Sequence, residues 1–175
     1  MTDDGFGTIA SSLDAPLIVV TAADGREQAG CLVGFHTQSS IEPLRYCVWL
    51  SKANYTYRVA LRSTHLAVHF LTSSDLPLAE RFGTLTGDRV DKFAGIRTRP
   101  GRGGVPVLED CPHWLVGERT TLVDDGGDHV CLMTETVAAQ TGGRFEPLRL
   151  TQAAHLKPGH GNEERPEPPT ERAAG

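Results

Sequence analysis

Trp114-Leu115-Val116-Gly117-Glu118-Arg119-Thr120-Thr121-Leu122-Val123, then Asp124-Asp125-Gly126-Gly127, then His129-Val130-Cys131-Leu132-Met133-Thr134-Glu135-Thr136-Val137-Ala138-Ala139: the fold turns on this stretch. Two long runs rich in β-branched and apolar residues flank a turn of Asp and Gly, the residue types that tolerate positive φ, so the stretch predicts a β-hairpin. Working outward, Leu17 to Thr21 and Ala29 to Val33 form a second hairpin about Asp24-Gly25. Arg45 to Leu50 and His65 to Leu71 are two further strands. Ala53 to Arg62 has good helix formers behind Asn54 as N-cap, and Ser74-Asp75 opens a second short helix to Phe82, ended by Gly83. Leu148 to Leu156 reads as a last strand. Short connections favour antiparallel pairing, and a closed or nearly closed barrel covers the edges.

The chain has 175 residues with 39% hydrophobic and 22% charged content, in keeping with one globular domain. Residues 1–12 are expected to be a flexible lead-in, 13–157 the folded domain and 158–175 a disordered tail of Pro, Glu, Arg and Gly. The net charge of -5 and the absence of a Lys/Arg cluster argue against nucleic acid. No apolar run has membrane-spanning length, and the acidic start Met1-Thr2-Asp3-Asp4-Gly5 does not read as a secretory signal. Cys31, Cys47, Cys111 and Cys131 are scattered in apolar runs and are expected to be buried free thiols. These features point to a cytoplasmic protein.

Three segments could carry chemistry. Gly30 to Pro43 leaves a strand and runs through small and hydroxyl residues, so a planar ligand could approach its backbone; an ordinary polar loop has the same composition. Leu50-Ser51-Lys52-Ala53-Asn54 combines a hydroxyl, a cation and a helix start, which suits an anion, although an ordinary N-cap beside a solvated Lys looks the same. Gly127-Asp128-His129 places a group that titrates near neutrality at a strand start, or simply on the surface. No metal site is expected: His65 and His69 share a strand face but sit roughly 13 Å apart at about 3.3 Å per residue. No Gly-x-Ser-x-Gly elbow supports hydrolysis, and no Gly-x-Gly-x-x-Gly follows a strand to hold a dinucleotide.

In order along the chain, these residues resemble the flavin reductase-like, FMN-binding split-barrel family. The resemblance is carried by Gly30 to Pro43 with its ending Ser40-Ile41-Glu42-Pro43, by Tyr46 to Asn54, by Leu78-Ala79-Glu80-Arg81-Phe82, by Asp91-Lys92-Phe93, by Gly104-Val105-Pro106-Val107-Leu108 and by Gly127-Asp128-His129. It implies a mainly β fold: a six- to seven-stranded antiparallel split β-barrel of Greek-key order with two or three short helices. It also implies a homodimer, FMN or FAD as cofactor and NAD(P)H as co-substrate. The activity implied is that of an NAD(P)H:flavin oxidoreductase, passing hydride to flavin as the reductase partner of a monooxygenase. The alternative is a non-catalytic module for flavin, deazaflavin or haem; a flavoenzyme acting on an organic substrate, with His129 or His36 as proton donor, is a third reading. Carried over by position, Val33, Gly34, Phe35 and His36 would line the isoalloxazine, and Thr37, Ser39 and Ser40 would reach the ribityl chain or phosphate. Ser51, Lys52 and Asn54 would hold the phosphate, Phe82 and Lys92 would close the far side, and His129 would face the nicotinamide or substrate. Gly34-Phe35-His36 stands where many members have Asn-Ser-Phe, and Gln38 where Ser is common.

Overall fold

A computed structural model describes residues 4–159. Its main sheet joins β1 (Ile18–Ala23), β2 (Gln28–Val33), β3 (His36–Ser40), β4 (Arg45–Ser51), β5 (His65–Phe70), β8 (Trp114–Val123) and β9 (His129–Gln140). The seven strands lie in the order β2-β1-β5-β8-β9-β4-β3, with antiparallel pairing throughout. Early and late strands interleave, as in a Greek-key barrel. The small hairpin β6 (Thr98–Pro100) and β7 (Pro106–Leu108) stands apart from this sheet. Three helices complete the fold: α1 (Asp4–Ser12), α2 (Tyr55–Arg62) and α3 (Leu76–Thr84).

Alternation explains how the sheet curls around a core. Ile18, Val20 and Ala22 of β1, Cys31 and Val33 of β2, Val48 and Leu50 of β4, and Leu66 and Val68 of β5 point to one interior, where Val59 and Ala60 of α2 join them. The opposite face of β1 is covered too. Leu17 and Val19 pack with Ala79 and Phe82 of α3, and β1 is therefore buried from Ile18 to Ala22. Gly30 is a residue of close approach: a Cβ there would stand 2.7 Å from Phe82 Cε1. The third packed layer sets Val105 and Val107 against Ala67, Trp114 and Val116.

A side chain of β3 reaches the segment ahead of β1, and the β3–β4 ladder runs one residue past the strand. His36 on β3 bonds through Nε2 to the Pro16 carbonyl, 2.9 Å away, just ahead of β1. The Trp49 amide donates to the Phe35 carbonyl at 2.9 Å.

Four local expectations change. His36–Ser40 is a strand, not a loop; it is an edge with one partner, so it needs no apolar alternation and exposes Thr37, Gln38 and Ser39. Asp4–Ser12, expected as a loose lead-in, is helical. Leu148 to Leu156 is not a strand: Leu148 bonds to Leu17 and Leu71, and a 3₁₀ turn follows at Leu150–Ala153. Gly83 lies inside α3, which runs on to Thr84. The tail expected at 158–175 falls outside the described residues from 160 onward.

Candidate functional site

The β4–β9 pairing carries one end of the barrel. It sets Ser51 opposite His129, and the Lys52 amide then donates to the Asp128 carbonyl at 2.9 Å. The crossover from β2 brings Phe35 to the same place, its ring edge-on to His129 with centroids 5.1 Å apart. Phe35 is 60% exposed, so its ring is accessible at this end of the barrel. Phe35, Ser51, Lys52 and His129 therefore converge, although they come from separate segments.

Each polar member of the cluster is held. Lys52 Nζ lies 2.9 Å from Asp124 Oδ2 in the β8–β9 turn. The hydrogen bond from Lys52, then that from the Gly126 amide, keeps the Asp124 carboxyl below its usual range. His129 Nδ1 meets Asp128 Oδ1 at 2.8 Å, and that bond likewise lowers the Asp128 carboxyl. The imidazole is thus fixed through Nδ1, with Nε2 as its second functional atom. Asn54 caps α2, its side chain accepting from the Thr56 amide at 3.0 Å. The Ala53 amide donates to Ser51 Oγ, the Asn54 amide to the Ser51 carbonyl and the Tyr57 amide to the Asn54 carbonyl. The helix start is expected to offer its amides to an anion, but those of Ala53, Asn54, Thr56 and Tyr57 are taken up locally. A phosphate here would rest on the Lys52 and Ser51 side chains.

The other expected residues are placed differently. Val33 is buried in the barrel core and can offer only backbone. At Gly34 the nearest atom to an added Cβ is Leu17 Cδ2 at 3.7 Å. Ser39 and Thr37 are exposed on the open edge of β3, with Ser40 half-buried at its end. His36 is committed to structure: Nε2–H donates to Pro16, and Nδ1 accepts from Tyr46 Oη at 2.6 Å. Burial holds its pKa below the ordinary value, and Tyr46 is pushed up to about 12 by burial, so both remain neutral at pH 7.

Phe82 and Lys92, expected to close the far side of the ring, are engaged elsewhere. Phe82 is 1% exposed and edge-on to Phe93 in the core. Lys92 Nζ donates to the Gly30 carbonyl at 3.0 Å and the Phe82 carbonyl at 2.9 Å. Burial pushes its pKa down, since an ammonium loses its hydration there. Lys92 also borders a polar cavity of about 360 Å³ with Gln28, Tyr55 and Arg89. Sequence reasoning missed Asp124, which had registered only as a turn former, and Tyr46, whose partner is ten residues away. Among the described residues no group of His, Cys, Asp and Glu could hold a metal ion, and no helix is long and apolar enough to cross a membrane.

The fold is thus a split antiparallel barrel that gathers an exposed ring, an oriented imidazole and a lysine at one end. The chain belongs to the flavin reductase like domain family, whose model matches residues 10–155. It is 28% identical over 144 residues to a protein named probable flavin reductase from Rhizobium meliloti strain 1021, covering 80% of this chain and 43% of that one. The reductase subunit HsaB of a flavin-dependent monooxygenase from Mycobacterium tuberculosis is 33% identical over 101 residues, covering 55% of this chain and 52% of its own. The chain thus spans about half the length, or less, of these two relatives. In fold it is similar to the NADH:FAD oxidoreductase SgcE6 of Streptomyces globisporus C-1027, with a TM-score of 0.68, 21% identity and coverage of 85% and 96%.

Proposed function

We propose that this chain binds FMN or FAD at the Phe35–Ser51–Lys52–His129 end of the barrel and passes hydride from NAD(P)H to it. The observation that carries this reading is the convergence of those four residues in a chain of this family. When bound, the flavin supplies the hydride-accepting ring, so the protein needs little acid–base machinery of its own. Phe35 offers an apolar surface beside the ring, and Lys52 and Ser51 balance the phosphate charge. Asp128 fixes His129 so that Nε2 can hydrogen-bond a nicotinamide amide or the ring edge. Hydride transfer then requires only that donor and acceptor be held about 3 to 3.5 Å apart. The likeness to HsaB supports a role as the reductase partner of a monooxygenase. The open edge of β3, with exposed Ile41 and Leu44 in the turn that follows, supports a homodimer.

Flavin titration followed by NADH and NADPH oxidation tests the reading. Saturable binding with flavin-stimulated oxidation of either nucleotide is expected. Binding without turnover would make the chain a carrier, and no binding of FMN or FAD would overturn the assignment.

A further inference from the structure

At the opposite end of β8 and β9 from His129 lies a second cavity, of about 340 Å³, whose walls include the rings of Phe70, Trp114, Phe145 and His113 beside Leu115 and Gln140. Its walls are ordered by mutual packing. His113 and Phe145 stack with centroids 4.0 Å apart, and Phe145 leans on Phe70 at 6.3 Å. Trp114 and His113 are buried, at 9% and 7% exposure. The size suits a small organic molecule: an apolar cavity of about 150 Å³ already holds benzene, and ligand sites begin near 300 Å³.

Arg99 is not itself a wall of the cavity but is in contact with two residues that are, Trp114 and Gln140. The Arg99 guanidinium lies over Trp114, 4.7 Å from the ring centroid, and reaches Gln140 Oε1 at 3.4 Å. Among the described residues Arg99 makes no ion pair. Its fork, already stacked on a lining ring, is preorganised for a planar oxyanion.

We propose that this cavity binds a monocyclic aromatic carboxylate, its ring against Trp114, Phe70 and Phe145 and its carboxylate on Arg99. The site shares no residue with the flavin end, so it stands or falls independently of the function proposed above.

Benzoate, with benzyl alcohol as its neutral counterpart, tests this on the full chain. The readout is the Trp114 indole N–H in a ¹⁵N spectrum. The chain has two Trp, so Trp49→Phe assigns the signal. Benzoate is expected to shift it saturably, about tenfold more tightly than benzyl alcohol, as a charge-assisted hydrogen bond implies. Arg99→Gln should remove that preference while leaving benzyl alcohol unchanged, and Ala139→Phe, on the exposed end of β9, should block both ligands. A Trp114 signal that never moves would overturn the proposal, as it would if a second copy filled the cavity. So would a shift confined to Trp49, or an Arg99→Gln chain that keeps the benzoate preference.

Discussion

Acidification should loosen this fold through His69. The residue is fully buried on β5, where the Leu108 amide donates to Nε2 at 3.0 Å and Nδ1–H donates to the Val19 carbonyl at 3.1 Å. The ring thereby ties β7 to β1, and it can do so only while neutral, because Nε2 must accept. Burial lowers its pKa from 6.5 to about 4. Between those values the unfolded chain carries a proton that the folded chain refuses, so stability falls as pH falls through the window and is fully present above it. At about 1.4 kcal/mol per pKa unit, the loss is about 2 kcal/mol at pH 5 and about 3 kcal/mol at pH 4. For a domain of this size, about 2 kcal/mol corresponds to a drop of roughly 4–8 °C in Tm. Melts at pH 7.5 and pH 5, for the native chain and for His69→Gln, isolate the effect. The native chain should lose that much more Tm than the variant. His36, whose pKa burial also lowers, supplies a residual slope common to both. Equal losses in the two proteins would refute the assignment of the acid sensitivity to His69.

Gly30→Ala should cost about 1–3 kcal/mol, because its Cβ would meet Phe82 at 2.7 Å in a packed core; urea unfolding reads this directly. Asn54→Ala should cost about 1 kcal/mol by removing the α2 cap, seen in the same assay. Lys52→Ala should weaken FMN binding about tenfold or more in a fluorescence titration, whereas Asp124→Asn, which frees the ammonium from its counter-ion, should leave binding unchanged or tighter; a loss on Asp124→Asn would show that the pair positions Lys52 rather than competing for it. His129→Ala should lower flavin reduction by NAD(P)H in stopped flow while FMN affinity stays within a few fold; an unchanged reduction rate would remove His129 from the reacting side.

Much of the fold was legible because local pattern and tertiary need agree. The β8–β9 hairpin is such a case: its Asp/Gly turn and its long apolar runs both answer to backbone preference. Asn54 is a second, since an N-cap requires only its own side chain and the next two amides. β3 was not legible. As a polar edge strand it has no apolar alternation to read, and its existence depends on β4 lying alongside. The small β6–β7 hairpin is similar, held by Thr21 and His69 from distant strands.

The same division runs through the candidate site. Composition marked out three segments, a small-residue stretch after β2, a helix start and a strand start, and the family resemblance then picked Phe35, Ser51, Lys52 and His129 within them, along with residues that the fold uses elsewhere. Only the folded sheet decided that these four meet, that Asp124 occupies Lys52, and that His36 and Lys92 spend their polar atoms on Pro16, Tyr46 and backbone carbonyls. The physical reason is range: backbone propensity acts over a few residues, whereas a side chain's hydrogen-bond partner is whatever the register of distant strands brings within about 3 Å.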